Sequence, residues 1–588
     1  MATVSAISNV FNVSNFTHQP SVDKIWLNSY PKDVPATLNY DVYTSLNHLL
    51  NEVYITHADR VAYHCMGSDL SYAELDKQSK QIAAWLRFKG LQPGDRVAVI
   101  LPNILQYPCV TAGILRAGMV CVNTNPLYTA TELKHQLNDS GATAVFILEN
   151  FAHILQSVLQ ETAVKQVVVT GIGDCLSWWK APIVNYLVRK VKKLVPAFNL
   201  PAQHTTTFNA MRSQARLLSY QAVVSTMNDF AFLQYTGGTT GVSKGAALTH
   251  RNIVSNVLQL KAWMQPKMKE LPINHQLVMV CALPMYHIFS STMSTMMGAN
   301  LGAKNILIPN PRNLPEMIKT LSRFKINMFP GVNTLYNALV SHPDFKTIDF
   351  SGLVITNGGG MPVSRAVADK WFAATGCCIA EGYGLSETSP VVSSNIAIAQ
   401  EYSGTVGLPL PDTEIVIRDE QGQNLALGEV GEICIRGPQL MQGYWNQPDE
   451  TVKVLYPDGF FRSGDLGLMT EAGHLKIVDR IKNMILVSGF NVYPFELENV
   501  VALHPAVLEC AAIGIPHEKS GEIPCMYVIK KESYLTEAEL LEFAAKSLTS
   551  YKRPKKIVFV NSLPKSNVGK ILHRELRNSA IAAIANKK

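Results

Sequence analysis

Short, continuous apolar runs alternate with amphipathic stretches through most of this chain. Arg96 to Leu101, Ala144 to Leu148, Gln166 to Thr170, Leu277 to Ala282 and Ile306 to Pro309 are runs of this kind. Their length and apolar continuity predict strands buried on both faces. Tyr72 to Lys89 and Leu314 to Arg323 read as helices between or after them, the latter with Asn313 as its N-cap. Strand and helix in alternation predict an α/β architecture with largely parallel sheets. After about Asp412 the period shortens to two, in Glu414-Ile415-Val416-Ile417-Arg418 and Gly431-Glu432-Ile433-Cys434-Ile435-Arg436, which predicts a small β-rich subdomain over 412–480. A further boundary is expected near Val478 to Asn483. Beyond it Pro494 to Leu503 and Thr536 to Leu548 read as helices, and Leu508 to Ile515 and Ile523 to Ile529 as strands. The expected organisation is an N-terminal extension over 1–22, a large domain over 23–480 and a compact α+β lid over 481–588.

One segment stands apart. From Trp178 to Phe198, Val184, Leu187, Val188, Val191, Leu194 and Val195 recur at helical spacing, with Arg189, Lys190, Lys192 and Lys193 between them and Trp178-Trp179 in front. A basic amphipathic helix of this kind suits two roles. One is contact with an anionic membrane surface, and the other is an ordinary surface helix packing its stripe on the core.

Composition narrows the class. A length of 588 residues, 47% hydrophobic and 16% charged, describes a well-buried globular protein of several domains. A net charge of +7 with no long Lys/Arg block gives no nucleic-acid-binding signature. The 10 cysteines are scattered without a CxxC pair, which suggests neither a zinc cage nor a disulfide framework and fits a reducing cytoplasm. Met1 to Phe16 lacks the pattern of a signal peptide, and no segment sustains the roughly 18 uncharged apolar residues of a spanning helix.

The chemistry is concentrated in a few polar clusters. Tyr235-Thr236-Gly237-Gly238-Thr239-Thr240-Gly241-Val242-Ser243-Lys244-Gly245 packs glycines, hydroxyls and one cation into a short span. Glycines let backbone N–H groups converge on an anion, and Lys244 supplies charge. It is not a Walker A loop, which has Gly before Lys and Ser or Thr after it. Here Ser243 precedes Lys244 and Gly245 follows, so the segment reads either as a phosphate loop or as a flexible turn. A second cluster, Glu381-Gly382-Tyr383-Gly384-Leu385-Ser386-Glu387-Thr388, follows an apolar stretch ending at Ala380 and is expected at a strand end, where open parallel sheets bind ligands. The flanking glycines permit a close approach of Tyr383 to a flat ring of a ligand, Ser386 offers a hydroxyl to phosphate, and Glu387 is a hard oxygen suited to magnesium. Asn357-Gly358-Gly359-Gly360-Met361-Pro362 offers bare backbone to the other face of the same ring. Asp465 offers two acceptors to a ribose, and Arg480 a donor to the same sugar or to phosphate. Lys570 follows Gly569 near the C-terminus. Each of these, taken alone, also reads as a turn or an exposed, inert side chain.

Taken in order, the 235–245 loop, Leu283-Pro284-Met285-Tyr286-His287, the 381–388 cluster, Ser463-Gly464-Asp465, the 478–494 stretch and Lys570 resemble the core motifs of the adenylate-forming superfamily of acyl-CoA synthetases. Val478 to Pro494 looks most like the bacterial long-chain fatty-acid–CoA ligases, and the similarity runs from about Ile25 to Arg577. The resemblance implies a large domain of α/β sheets with a β-rich subdomain, and a small mobile C-terminal domain. It implies two steps: a long-chain fatty acid and ATP give acyl-AMP and pyrophosphate, and CoA then displaces AMP. By motif match, Thr236 and Glu387 would hold Mg2+, Thr236 to Gly245 the β- and γ-phosphates, and Tyr383 with Gly358, Gly359 and Gly360 the adenine. Gly384 and Ser386 would lie at the nucleotide, Asp465 with Arg480 at the ribose, and Lys570 across the acyl carboxylate and α-phosphate.

Lys482 matches the hinge position about which the lid rotates between the steps, and Gly489 the face presented for thioester formation. His287 is expected beside the acyl carboxylate, with a packed core histidine as the alternative. Ser463 and Ser386 stand where Thr is usual, and Ile481 and Asn483 replace the Lys and Asp common beside the hinge. Relatives are often homodimers. The nearest rival reading is a fatty-acyl-AMP ligase that passes its adenylate to a carrier protein. Another is a non-catalytic lipid-binding protein that keeps the fold.

Overall fold

In the computed structural model, which describes residues 23–585 except 237–242, 273, 397–400, 518 and 567–568, the apolar runs become neighbours in two large sheets. A seven-stranded sheet runs in the order Thr205–Thr207, Gln166–Thr170, Ala144–Leu148, Arg96–Ile100, Val120–Asn123, Phe230–Tyr235 and Gly245–Thr249. All its pairings are parallel except the last, Phe230–Tyr235 against Gly245–Thr249. A nine-stranded sheet has a parallel centre of Ile379–Gly384, Ile355–Gly358, Met328–Gly331, Val278–Cys281, Lys304–Leu307 and Val61–Cys65. Its antiparallel margins are Val391–Ser394 with Leu408–Pro409 on one side and Ser68–Ser71 on the other. The central strands are buried along nearly their whole length, as continuous apolar runs require. The strand expected over Ile306 to Pro309 begins earlier, at Lys304.

Helix His250–Met268 ties the two sheets together. Thr249 caps it through a capping box with Asn252, and Ile253, Val254, Val257, Leu260, Trp263 and Met264 enter the main core. Its polar residues are equally committed. Asn256 donates to the Val391 carbonyl at 2.7 Å and accepts the Val391 N–H at 3.1 Å, and the Gln259 amide donates to the Pro411 carbonyl at 2.7 Å. Buried amides so satisfied fix the register between helix and strand.

The β-rich part is a four-stranded antiparallel sheet of Glu414–Arg418, Gly431–Arg436, Phe461–Met469 and Leu475–Arg480. A short 3-10 turn, Ile481–Asn483, leads to the C-terminal sheet, which begins at Ile485. That sheet combines Ile485–Val487, Phe490–Val492, Val507–His517, Gly521–Lys530 and Lys556–Phe559, with helices Pro494–Ala502, Glu537–Ala545 and His573–Ala585. It has its own core around Leu497, Val501, Ala512, Met526, Val528 and Leu540.

The 178–198 segment corrects the sequence expectation. The helix is short, Lys180–Tyr186, and continues as a π-turn over Leu187–Val191. Lys193 has φ +49, a left-handed conformation that ends the helix before Leu194 and Val195. Nor does the apolar stripe dock it. Buried Asn185 does, accepting the Gly173 N–H at 2.8 Å and donating to Asp174 Oδ1 at 2.9 Å. Ile183, Tyr186, Leu187 and Val191 face outward with Trp178 and Trp179, while Val184 is partly buried against the core. Among the described residues no helix is long and apolar enough to cross a membrane. The expected extension over 1–22 lies outside the described residues.

Candidate active site

Several strands of both large sheets end at one open cleft of about 1530 Å³, which the C-terminal unit closes from the other side. Residues at the carboxyl ends of Phe230–Tyr235, Ile355–Gly358 and Ile379–Gly384 line it, where open α/β sheets place ligands. Lys244, Lys453, Arg480, Lys482 and Lys570 share its wall, a concentration of charge suited to a polyanion.

Glu387 is 8% exposed, and burial raises the pKa of its carboxyl. Its Oε1 accepts the Tyr444 hydroxyl at 2.8 Å. Thr236 lines the same cleft, and its N–H donates to the Lys244 carbonyl at 2.9 Å. A buried carboxylate and a hydroxyl are hard oxygen donors, so the pair fits a magnesium ion. The Lys244 ammonium lies 5.0 Å from the centre of the Tyr444 ring and pairs with Glu450. Tyr444 is positioned by pairing of its segment with Gly245–Thr249: Trp445 N donates to the Gly245 carbonyl at 2.7 Å, and Ala247 N to the Gly443 carbonyl at 3.0 Å.

Asp465 and Arg480 face each other across adjacent strands. Arg480 Nε lies 2.9 Å from Asp465 Oδ1, and the Tyr383 hydroxyl donates to Asp465 Oδ2 at 2.6 Å. Both carboxylate oxygens are thus engaged. Asp465, 4% exposed, stands behind the lining rather than on it. Lys570 reaches the same neighbourhood from the C-terminal unit. Burial, and secondarily the Arg480 charge, lower its pKa to about 8. His287 has its pKa lowered to about 4 by burial and then by the Lys570 charge, so its imidazole is neutral near pH 7. Its Nδ1 accepts the Phe289 N–H at 3.3 Å.

The segment carrying His287 hangs from side chains of the neighbouring half. Asn103 Oδ1 accepts the Met285 N–H at 2.8 Å and its amide donates to the Leu283 carbonyl at 2.8 Å. The Tyr107 hydroxyl donates to the Met285 carbonyl at 2.7 Å, and Gln234 Nε2 to the Tyr286 carbonyl at 3.1 Å. Glycine is obligatory where backbone meets backbone: a Cβ on Gly384 would stand 2.0 Å from the Pro390 carbonyl oxygen. One on Gly358 would fall between Val363 and Ile379, 2.7 and 2.8 Å away.

Of the residues expected from sequence, Thr236, Lys244, His287, Gly358, Gly359, Gly360, Tyr383, Gly384, Ser386, Glu387, Arg480, Lys482 and Lys570 all line this cleft. Gly237, Gly238, Thr239, Thr240 and Gly241 lie outside the described residues. Gly489 is elsewhere, in the exposed turn between Ile485–Val487 and Phe490–Val492, with φ +84. Glu381 to Gly384, expected after a strand, belong to it. Sequence reading missed Tyr444, Glu450, Lys453 and Gln234, which also line the cleft. Their signal was faint: Pro448-Asp449-Glu450 opens a short helix in the usual way, with Pro followed by acids.

A nucleotide-sized basic cleft at strand ends, roofed by a separate unit that contributes Lys482, Lys565 and Lys570, fits an adenylate-forming enzyme. The AMP-binding enzyme family matches residues 52–445, and the AMP-binding enzyme C-terminal domain matches 496–570. The chain belongs to that family. It is 47% identical over 568 residues to the long-chain-fatty-acid–CoA ligase of Salmonella typhimurium, covering 96% of this chain and 100% of that one. It is 49% identical over 561 residues to the ligase of the same name from Yersinia pestis, covering 95% and 99%. Among solved structures, ATP-bound MatB from Rhodopseudomonas palustris superposes with a TM-score of 0.78 at 27% identity, covering 92% of this chain and 99% of that one.

Proposed function

We infer that the protein is an ATP-dependent long-chain-fatty-acid–CoA ligase. A fatty acid and ATP give acyl-AMP and pyrophosphate, and the CoA thiol then takes the acyl group and releases AMP. The carrying observation is Lys570 of the C-terminal unit standing at the cleft of Glu387 and Lys244, in a chain similar along 96% of its length to ligases of that name.

A carboxylate is a weak nucleophile facing a polyanion, so in-line attack on the α-phosphorus needs positioning and charge neutralisation more than proton transfer. Glu387 and Thr236 would hold magnesium, which when bound supplies part of that neutralisation. Lys244 would hold the outer phosphates. Lys570, whose pKa of about 8 leaves it largely protonated at neutral pH, would bridge the acyl carboxylate and the α-phosphate. His287, neutral there, would border the carboxylate without adding charge. Tyr383 and Gly358 to Gly360 would meet the adenine. Asp465 would reach the ribose once the Tyr383 hydroxyl gives way. The second step would turn the C-terminal unit about Lys482 and bring the Gly489 turn inward.

The outward face at 178–194 supports a further part of this reading, docking on an anionic membrane from which a long-chain acid is drawn. Trp178, Tyr186 and Val191 are 88%, 62% and 61% exposed, beside exposed Lys190, Lys192 and Lys193. Aromatic and aliphatic groups flanked by lysines suit the headgroup region.

The test is product-resolved turnover with ATP, magnesium and palmitate, with and without CoA. Palmitoyl-CoA formed only with every component is the expected result. Pyrophosphate and bound adenylate without thioester would make the protein an acyl-AMP ligase. No turnover on any fatty acid would favour a lipid-binding protein.

A further inference from the structure

Lys244 is held by an acid that no motif includes. Glu450, in the first turn of helix Pro448–Val454, pairs through Oε2 with Lys244 and through Oε1 with Lys453. Lys244 first, and then Lys453, keep its carboxyl ionised, with a pKa held down to about 2. All three residues line the cleft, as does Tyr444, whose ring lies under the Lys244 ammonium and whose hydroxyl holds Glu387. The acid therefore stands on the phosphate side of the cleft, where a carboxylate repels a polyphosphate unless it serves another purpose. Its purpose is legible in the partner it holds. One ammonium cannot give its full charge to a carboxylate and a phosphate together.

We propose that Glu450 is a positioning residue for Lys244: it stands in for a phosphate oxygen, yields the ammonium to the triphosphate, and recovers it as pyrophosphate departs. The proposal rests on the ligase reading and deepens it, because it makes Glu450 the residue that sets how tightly triphosphate and pyrophosphate are held. Magnitudes decide in favour of a modulator over a block. The Lys244 and Glu450 side chains are 30% and 32% exposed, a setting in which an ion pair is worth little. A polyphosphate, with several charges, outcompetes it. The carboxylate then weakens phosphate binding by a few-fold and speeds release of pyrophosphate, a product that would otherwise reverse adenylation.

Glu450→Gln keeps the size of the side chain and removes the charge. Calorimetric titration of the full-length protein with magnesium-ATP and with magnesium-pyrophosphate should show both binding about two- to five-fold tighter in the variant, the scale of a partly exposed ion pair. Product inhibition by pyrophosphate should strengthen by the same factor. Glu450→Asp, which keeps the charge but shortens its reach to Lys244, should give a smaller gain. In a Lys244→Gln background the gain from Glu450→Gln should shrink to what relief of direct repulsion supplies, which a merely structural role would not predict. Unchanged or weaker binding in Glu450→Gln, or an equal gain without Lys244, would overturn the proposal while leaving the ligase reading intact. A wild-type protein that binds neither ATP nor pyrophosphate would overturn both.

Discussion

Lys570 shows how one side chain joins position to chemistry. It is carried by a C-terminal stretch anchored through the Ser566 hydroxyl, which accepts the Lys570 N–H at 3.1 Å. Burial makes its ammonium easier to deprotonate than an exposed lysine, at a pKa of about 8. In the proposed role the cation is the working form, so adenylation by the free enzyme should be full below that value and fall as pH rises through it. Initial rates of fatty-acid-dependent pyrophosphate release between pH 6 and 10 would check this, with kcat/KM as the readout. Lys570→Ala should slow that release by about 100-fold or more, the scale of a lost electrostatic donor at a transition state. From sequence, a lysine after a glycine near the C-terminus carries no chemistry by itself, and only its place in an ordered set of motifs distinguishes it. Glu450 belongs to no such set. Its role exists only where the fold brings residue 450 to residue 244, and no local pattern encodes that meeting.

Elements were readable where burial alone decides them. Ala144–Leu148, Gln166–Thr170, Glu414–Arg418 and Gly431–Arg436 have the limits that the apolar pattern implies, because a strand buried on one or both faces leaves no choice of period. Asn313 caps Leu314–Leu321 as its sequence suggests, accepting the Glu316 N–H at 3.4 Å. The 178–198 segment is a shorter helix than its periodicity predicts. Two unpatterned features govern it instead: Asn185, which anchors the helix by polar contacts, and the left-handed Lys193, which ends it. Its apolar residues are thereby left outside, and the test belongs to this element. Replacing Lys190, Lys192 and Lys193 by Gln should reduce co-sedimentation with vesicles rich in anionic phospholipid and leave turnover of a soluble shorter-chain acid unchanged. Arg189 is left in place because it pairs with buried Glu149 at 2.8 Å. Co-sedimentation equal to wild type would rule out this face as the docking site.

The whole molecule is a pair of large sheets with a smaller unit over the cleft at their strand ends. The alternation of short strands and helices made the α/β class legible. The change of pattern after Asp412 made the β-rich part legible, and the sheet Glu414 to Arg480 is antiparallel throughout. What sequence pattern could not supply is which face of the C-terminal unit meets the cleft. In this structure it is the face bearing Lys570, with Gly489 in an exposed turn. In the proposed function the two residues would serve different steps, through different orientations of one unit.

That division of labour is the central claim, and supplied palmitoyl-AMP tests it most directly. With palmitoyl-AMP and CoA, Lys570→Ala should form palmitoyl-CoA at close to the wild-type rate, although it fails from palmitate and ATP. Gly489→Leu should release pyrophosphate from palmitate and ATP, yet form no thioester from either starting point. If both variants lose both steps alike, the lid does not exchange faces between the two reactions and the account is wrong.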